Sequence, residues 1–270
     1  MSWRSEPRWQ GEVVATWAFA LRSLLMASRN VFFLFELLFW PVVGVLSIGL
    51  MTRFLRLDSA EASFVLIGTM ALSTVQVCQL DVSYAVLFDV WSKSMKHQFL
   101  APIGVRHITI GAWLVGIARG VLVFAVLAAL ARWSFGFDVF RAGLLPLLAF
   151  LAGCFLTAYV VGVLVCALIM LFGTRAETSA WATVNLILVL AGIYYPLSVL
   201  PRAVAEVGAM IPLTYFLDAY RAHYGFAGEF PAPIARGFVL AAVYVAASHW
   251  ALAAAIRRTR QSGLLLKMSE

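Results

Sequence analysis

Six apolar runs, each about as long as a helix needs to cross a bilayer, constrain this chain more than anything else in it. They lie at Val31–Leu50, Ala62–Asp89, Ile108–Ala131, within Ala142–Thr174, at Thr178–Leu200 and at Gly237–Ile256. The fourth carries no charge at all and would span roughly 50 Å if wholly helical, so it must tilt, bend or protrude. Pro146 near its start suits a first-turn proline or a break. Composition agrees: 63% of the residues are hydrophobic and 12% charged, against about 45–50% and 25% in a soluble domain. The expected fold is all-α and integral to a membrane, with six transmembrane helices in one domain over residues 1–270. A net charge of +7 does not point to nucleic acid, because basic residues at span ends are ordinary topology signals.

Residues 1–30 form the lead-in. Positions 1–12 carry Arg4, Glu6, Pro7, Arg8 and Glu12 and lack the apolar centre of a signal peptide. Val13, Trp17, Leu21, Leu24, Leu25 and Ser28 then recur at helical spacing opposite Arg22 and Arg29. This predicts an amphipathic helix at the membrane interface; a plain helical extension of the first span is the alternative. With the N-terminus cytoplasmic, twelve Lys and Arg residues fall inside and seven outside, with Arg119 within a span. The positive-inside rule therefore places both termini in the cytoplasm, the tail running from residue 257 to 270.

From Gly192 to Arg221 the pattern changes. Pro196, Pro201 and Pro212 follow one another within apolar sequence, and no straight helix continues through all three. Broken backbone at membrane depth is tolerated only inside protein or along a cavity. A broken re-entrant segment is therefore expected over residues 201–226, after the fifth span and at the outer face. Tyr195-Pro196-Leu197, Leu200-Pro201, Pro212-Leu213-Thr214-Tyr215 and Asp218-Ala219-Tyr220-Arg221 resemble the closing signature of type-2 ABC transporter permeases. Those are the membrane subunits of exporters for drugs, lipids, lipo-oligosaccharides and polysaccharides. The resemblance implies a homodimer of permeases driven by a separate cytoplasmic ABC ATPase subunit, which binds ATP and Mg.

The connection between the second and third spans can make about three turns of helix before Pro102 and Gly104. Read alone, it is either a cytoplasmic loop whose cations face lipid headgroups or a docking element. The resemblance implies a coupling helix over 91–101, with Lys93, Met95, Lys96, Phe99 and Leu100 meeting the ATPase. Here Trp91, Lys93 and Lys96 replace the acidic, Gly/Thr-rich lead-in usual in that family, which implies compensating acidic residues in the partner's cleft. The chain's three lysines, Lys93, Lys96 and Lys267, follow Ser92, Met95 and Leu266. No Gly-Lys-Ser/Thr phosphate loop exists, so no ATP site and no catalytic role are expected of this chain.

Three charges fall within spans: Glu36, Asp81 and Arg119. At 1.5 Å per residue Asp81 lies about 13 Å and Arg119 about 16 Å from the cytoplasmic helix ends, so the two are expected to pair. A structural ion pair and a gate or substrate contact are both open readings. Gly116 and Gly120 frame Arg119 as a GxxxG that admits a neighbouring helix. Tyr194, Tyr195, Pro196, Pro212, Tyr215 and Tyr220 cluster around the broken segment. They suit either an interfacial aromatic belt or the exit lining for an amphipathic substrate. Cys78, Cys154 and Cys166 sit in apolar runs without metal or disulfide spacing. The function expected is the permease of an ATP-driven exporter in a bacterial inner membrane, moving a lipid-like, glycolipid, polysaccharide or drug cargo. The alternative is a self-contained, ion-gradient-driven secondary transporter, against which stands the absence of a broken helix in the first half.

Overall fold

The computed structural model describes residues 8–29, 31–94 and 104–261, with the side chains of 8–10, 27, 29, 31–34, 36, 174 and 188 excepted. Met95, Lys96, Phe99 and Leu100 lie outside the described residues, as does the side chain of Glu36. Every regular element among those described is helical. In chain order the α-helices are α1 (Arg8–Arg29), α2 (Val31–Phe54), α3 (Ser59–Trp91), α4 (Val105–Phe135), α5 (Leu144–Phe172), α6 (Glu177–Leu190), α7 (Arg202–Gly208), α8 (Pro212–Arg221) and α9 (Pro233–Gln261).

Five of these, α2, α3, α4, α5 and α9, are long and apolar enough to cross a bilayer. Helix α6 is not. It has 14 residues, about 21 Å at 1.5 Å per residue, and stops ten residues before the expected end of the fifth run. The physical reason is Gly192, whose φ of +69° turns the chain where a helix would go on, followed by Pro196 with no N–H to give.

Local chemistry sets the ends of the long helices. A capping box opens α3: Glu61 N–H donates to Asp58 Oδ1 at 2.7 Å and Asp58 N–H to Glu61 Oε2 at 3.2 Å. Helix α4 closes on Gly136 in the left-handed region. The core is built around α3, which lies between α2, α4 and α5 and buries Val75, Cys78 and Val82 completely. Close approach is possible because a Cβ at Gly116 of α4 would stand 3.0 Å from the Cys78 carbonyl oxygen. Gly120, the other half of the GxxxG, faces the Phe155 ring of α5 instead. All three cysteines are free and buried. Helix α9 is fastened to α5 by Thr259 Oγ1, which donates to Met170 O at 2.8 Å, and by Tyr159 OH, which donates to His249 Nε2 at 3.0 Å.

Helix α1 lies against α4 and α2 and exposes Val13, Val14, Trp17 and Leu24 on its free side. At its start, Glu12 accepts from Arg106 Nη2 at 2.5 and 2.6 Å and from His107 Nε2 at 2.8 Å. Towards its end, Arg22 pairs with the fully buried Asp89 near the end of α3. One amphipathic helix thus grips both ends of the 92–104 connection. Lys93, expected within a coupling helix, sits exposed in the turn that ends α3, with φ +56°.

Candidate functional site

The end of the molecule opposite that connection is closed by residues 191–232. Breaking α6 strands backbone carbonyls in the interior, and a single side chain gathers them. Arg221, the last residue of α8 and only 5% exposed, donates from Nη1 to Gly192 O at 2.7 Å and from Nη2 to Ile193 O at 2.6 Å and Phe64 O at 3.1 Å. Its Cζ lies 3.4 Å from the centre of the Phe64 ring, a cation–π contact that compensates part of its desolvation. Helix α3 can come this near only because position 68 is glycine: a Cβ there would fall 1.9 Å from Ile193 O.

The remaining carbonyls of the broken stretch are met by hydroxyls. Tyr195 OH donates to Val189 O at 2.6 Å, Thr214 Oγ1 to Gly208 O at 2.9 Å, and Tyr215 OH to Ala209 O at 2.8 Å. Tyr220 OH donates to Val139 O at 2.5 Å, and its ring stacks on Phe150 at 4.5 Å. Pro212 occupies the first turn of α8, where the missing N–H costs nothing. Phe216 fills the space left by Gly153 of α5 and Gly237 of α9. Side chains therefore meet carbonyls that the broken backbone cannot, as irregular chain at membrane depth requires.

Between α3, this segment and the 226–230 loop lies a cavity of about 350 Å³, within the size range of small-ligand sites. Of the six aromatic and proline residues expected at an exit, Tyr194 and Pro196 line it, whereas Pro212, Tyr215 and Tyr220 serve the packing of α8 and Tyr195 braces the end of α6. Residues that sequence reading left aside complete the wall: Glu61, Phe64, Asp218, Arg221 and Glu229. Two of them, Asp218 and Arg221, stood in the closing signature, and their i, i+3 spacing near a helix end was the available signal.

Deeper in the helical body, Arg119 Nη1 bonds Asp81 Oδ1, joining α4 to α3, with side-chain exposures of 11% and 8%. Asp81 Oδ2 has no hydrogen-bond partner among the described residues. Both residues border a small pocket of about 40 Å³ with Leu37, Trp40 and Pro41 of α2 and Trp181 of α6. Pro41 cannot donate to the Leu37 carbonyl four residues earlier.

Outside the helical body the charges behave as exposed pairs. Hydrogen bonding to His107, then the nearby Arg106 charge, holds the Glu12 carboxyl below the usual range. The Phe140 N–H, followed by Arg132, does the same for Asp138.

Helix length, apolar surface and internally satisfied backbone define a multi-pass α-helical membrane protein. The chain belongs to the ABC-2 type transporter family, whose model matches residues 14–224, from α1 to the turn after α8. A 48-residue stretch is also 44% identical to an uncharacterized protein of Archaeoglobus fulgidus, covering 17% of this chain and 75% of that protein.

Proposed function

We propose that this chain is the permease subunit of an ATP-driven exporter, working with a separate cytoplasmic ABC ATPase that binds ATP and Mg. The observation that carries the reading is the family match, which takes in most of α1, the 92–104 connection and the broken segment as far as residue 224. Six crossings follow if α6 and the irregular residues 191–201 together make the fifth, with 201–226 re-entering at the outer face and both termini in the cytoplasm. A homodimer would place two such bodies side by side. The exposed Phe35, Trp40 and Phe54 of α2 suit either that contact or lipid. The ATPase would push on Lys93 and the residues up to Leu100. Arg22–Asp89 and Glu12–Arg106 would then carry the movement into α1 and, through α3 and α4, to the outer cap. An amphipathic cargo, lipid-like, glycan-linked or drug-like, fits the apolar surroundings of the path, and a bacterial inner membrane fits the family.

The test is affinity purification of the solubilised protein from its host, followed by an ATPase assay. A co-purifying ATPase that is lost with Met95→Asp and Phe99→Asp supports the reading. A protein that emerges alone, with no nucleotide-dependent activity after reconstitution with the host's ABC ATPases, overturns it. Single-cysteine labelling at Ala203, expected from outside the cell, checks the topology separately.

A further inference from the structure

At the end of the molecule that carries the 92–104 connection, the arginines beside α1 are neutralised within the chain: Arg22 pairs with Asp89, and Arg106 with Glu12. Where α5 and α9 end, three arginines are not. Arg175, in the turn after α5, and Arg257 and Arg258, in the last turns of α9, are exposed and form no ion pair among the described residues. Glu177 stands two residues from Arg175 but opens α6 and is not bonded to it.

The surface leading to these arginines is apolar on both helices. Thr259 fixes the rotation of α9, because its Oγ1 donates to Met170 O and so faces α5. At about 100° per residue, Val239, Val243, Trp250 and Arg257 all lie within about 20° of the opposite face. Val239, Val243 and Trp250 are exposed there, Trp250 to 71%. Arg257 continues the same line about 10 Å further along the axis. Helix α5 repeats the pattern: Leu164, Leu168 and Phe172 are exposed at i, i+4 spacing, and Arg175 follows.

Two helices packed on each other thus each present an apolar stripe that ends on an unpaired guanidinium. An apolar stripe suits acyl chains, a tryptophan near its end suits the level where chains meet headgroups, and a guanidinium meets a phosphate with two parallel N–H···O bonds. A soluble anion or an acidic protein groove would use the arginines and leave both stripes uncovered. We propose that this end of α5 and α9 binds an anionic phospholipid, its chains along the two stripes and its phosphate on Arg175, Arg257 and Arg258. The inference goes beyond the exporter reading and does not need it, since α9 lies outside the residues that carry the family match and lipid binding is read on the isolated chain.

The experiment is native mass spectrometry of the full-length protein in neutral detergent, titrated with phosphatidylglycerol and with phosphatidylcholine of the same chains. Phosphatidylglycerol should be retained at least tenfold more tightly, and the preference should shrink as ammonium acetate is raised. Replacing all three arginines by glutamine should bring the two lipids to within about twofold, at roughly fivefold per basic residue near a membrane surface. Arg202→Gln, at the opposite end, should leave the preference unchanged. If the triple variant does not keep the parent's unfolding midpoint, Arg257→Gln alone carries the test and should weaken phosphatidylglycerol retention by about fivefold. Equal retention of the two lipids by the parent overturns the proposal, as does an unchanged preference in the glutamine variants. Loss of a co-purifying ATPase from variants that keep the preference would assign the arginines to that partner instead. Displacement of the lipid by inorganic phosphate at the lipid's own concentration would also overturn it, marking a plain anion site.

Discussion

Arg119 and Arg221 are both buried arginines, yet they are solvated in different ways. Arg119, in the body of α4, is met by a carboxylate on the neighbouring helix, Asp81. Arg221, at the end of α8, pairs with no carboxylate among the described residues; it is met by three main-chain carbonyls and an aromatic ring. The first arrangement joins two regular helices whose backbones are already satisfied. The second stands in for helical hydrogen bonds that a proline- and glycine-broken chain cannot make. An ion pair can be moved or exchanged between helices, whereas a carbonyl cluster admits only a planar, multi-donor cation at one point in space.

That contrast sets the sizes of the expected effects. Arg221→Ala should be the most damaging. It strands the interior carbonyls of Gly192 and Ile193 at about 1–3 kcal/mol each and removes the additional bond to the Phe64 carbonyl of α3, so little folded protein should survive extraction, and Arg221→Lys should recover less than half of the loss, read by unfolding in denaturant. A fully stable lysine variant would show that the carbonyls do not need the guanidinium fork. Next comes Arg119→Ala, which leaves the Asp81 carboxylate buried and should cost about 3–5 kcal/mol. The exchanged pair Asp81→Arg with Arg119→Asp should regain much of it; equal damage from the single change and the exchange would mean that Arg119 acts through other neighbours. Gly68→Ala should cost about 2–3 kcal/mol by forcing α3 off the Ile193 carbonyl, with Gly120→Ala, which crowds the Phe155 ring edge and meets Thr74 Cγ2 at ordinary contact distance, clearly milder in the same thermal assay.

The smallest effect belongs to the exposed latch of α1. Because the Glu12 carboxyl is held low, its contribution is present above the ordinary carboxylate range and is lost as pH falls through the lowered value. Spin labels on α1 and α4 should therefore report a fixed distance at neutral pH that broadens in acid. Glu12→Gln should show the broad distribution at every pH.

The two arginines also differ in how far a reader of the sequence can see them. Asp81 and Arg119 were paired from depth alone, because position along a helix converts directly into height in the membrane. Arg221 is visible in the sequence as the last residue of the Asp218-Ala219-Tyr220-Arg221 signature and as a basic residue outside the membrane, but nothing local says that the chain folds back over it. The outer tyrosines were legible as a cluster, but their hydroxyls are spent on carbonyls tens of residues away or on the turn behind them. Tyr194 alone among them borders the cavity. Glu61 was hidden for a different reason: its role in the capping box of α3 explains its presence without reference to the ligand-sized space beside it.

The sequence by itself determined the class of fold, the long apolar helices, the amphipathic helical lead-in and that the chain must break where Pro196, Pro201 and Pro212 follow one another. Those features depend on hydropathy, helical period and the geometry of proline, all of which are local. Only the tertiary structure decided that α1 bridges the two ends of the 92–104 connection and that Arg221 completes the break. Each depends on groups brought together from segments far apart in the chain, and a carbonyl oxygen carries no mark in the sequence of whose donor will reach it.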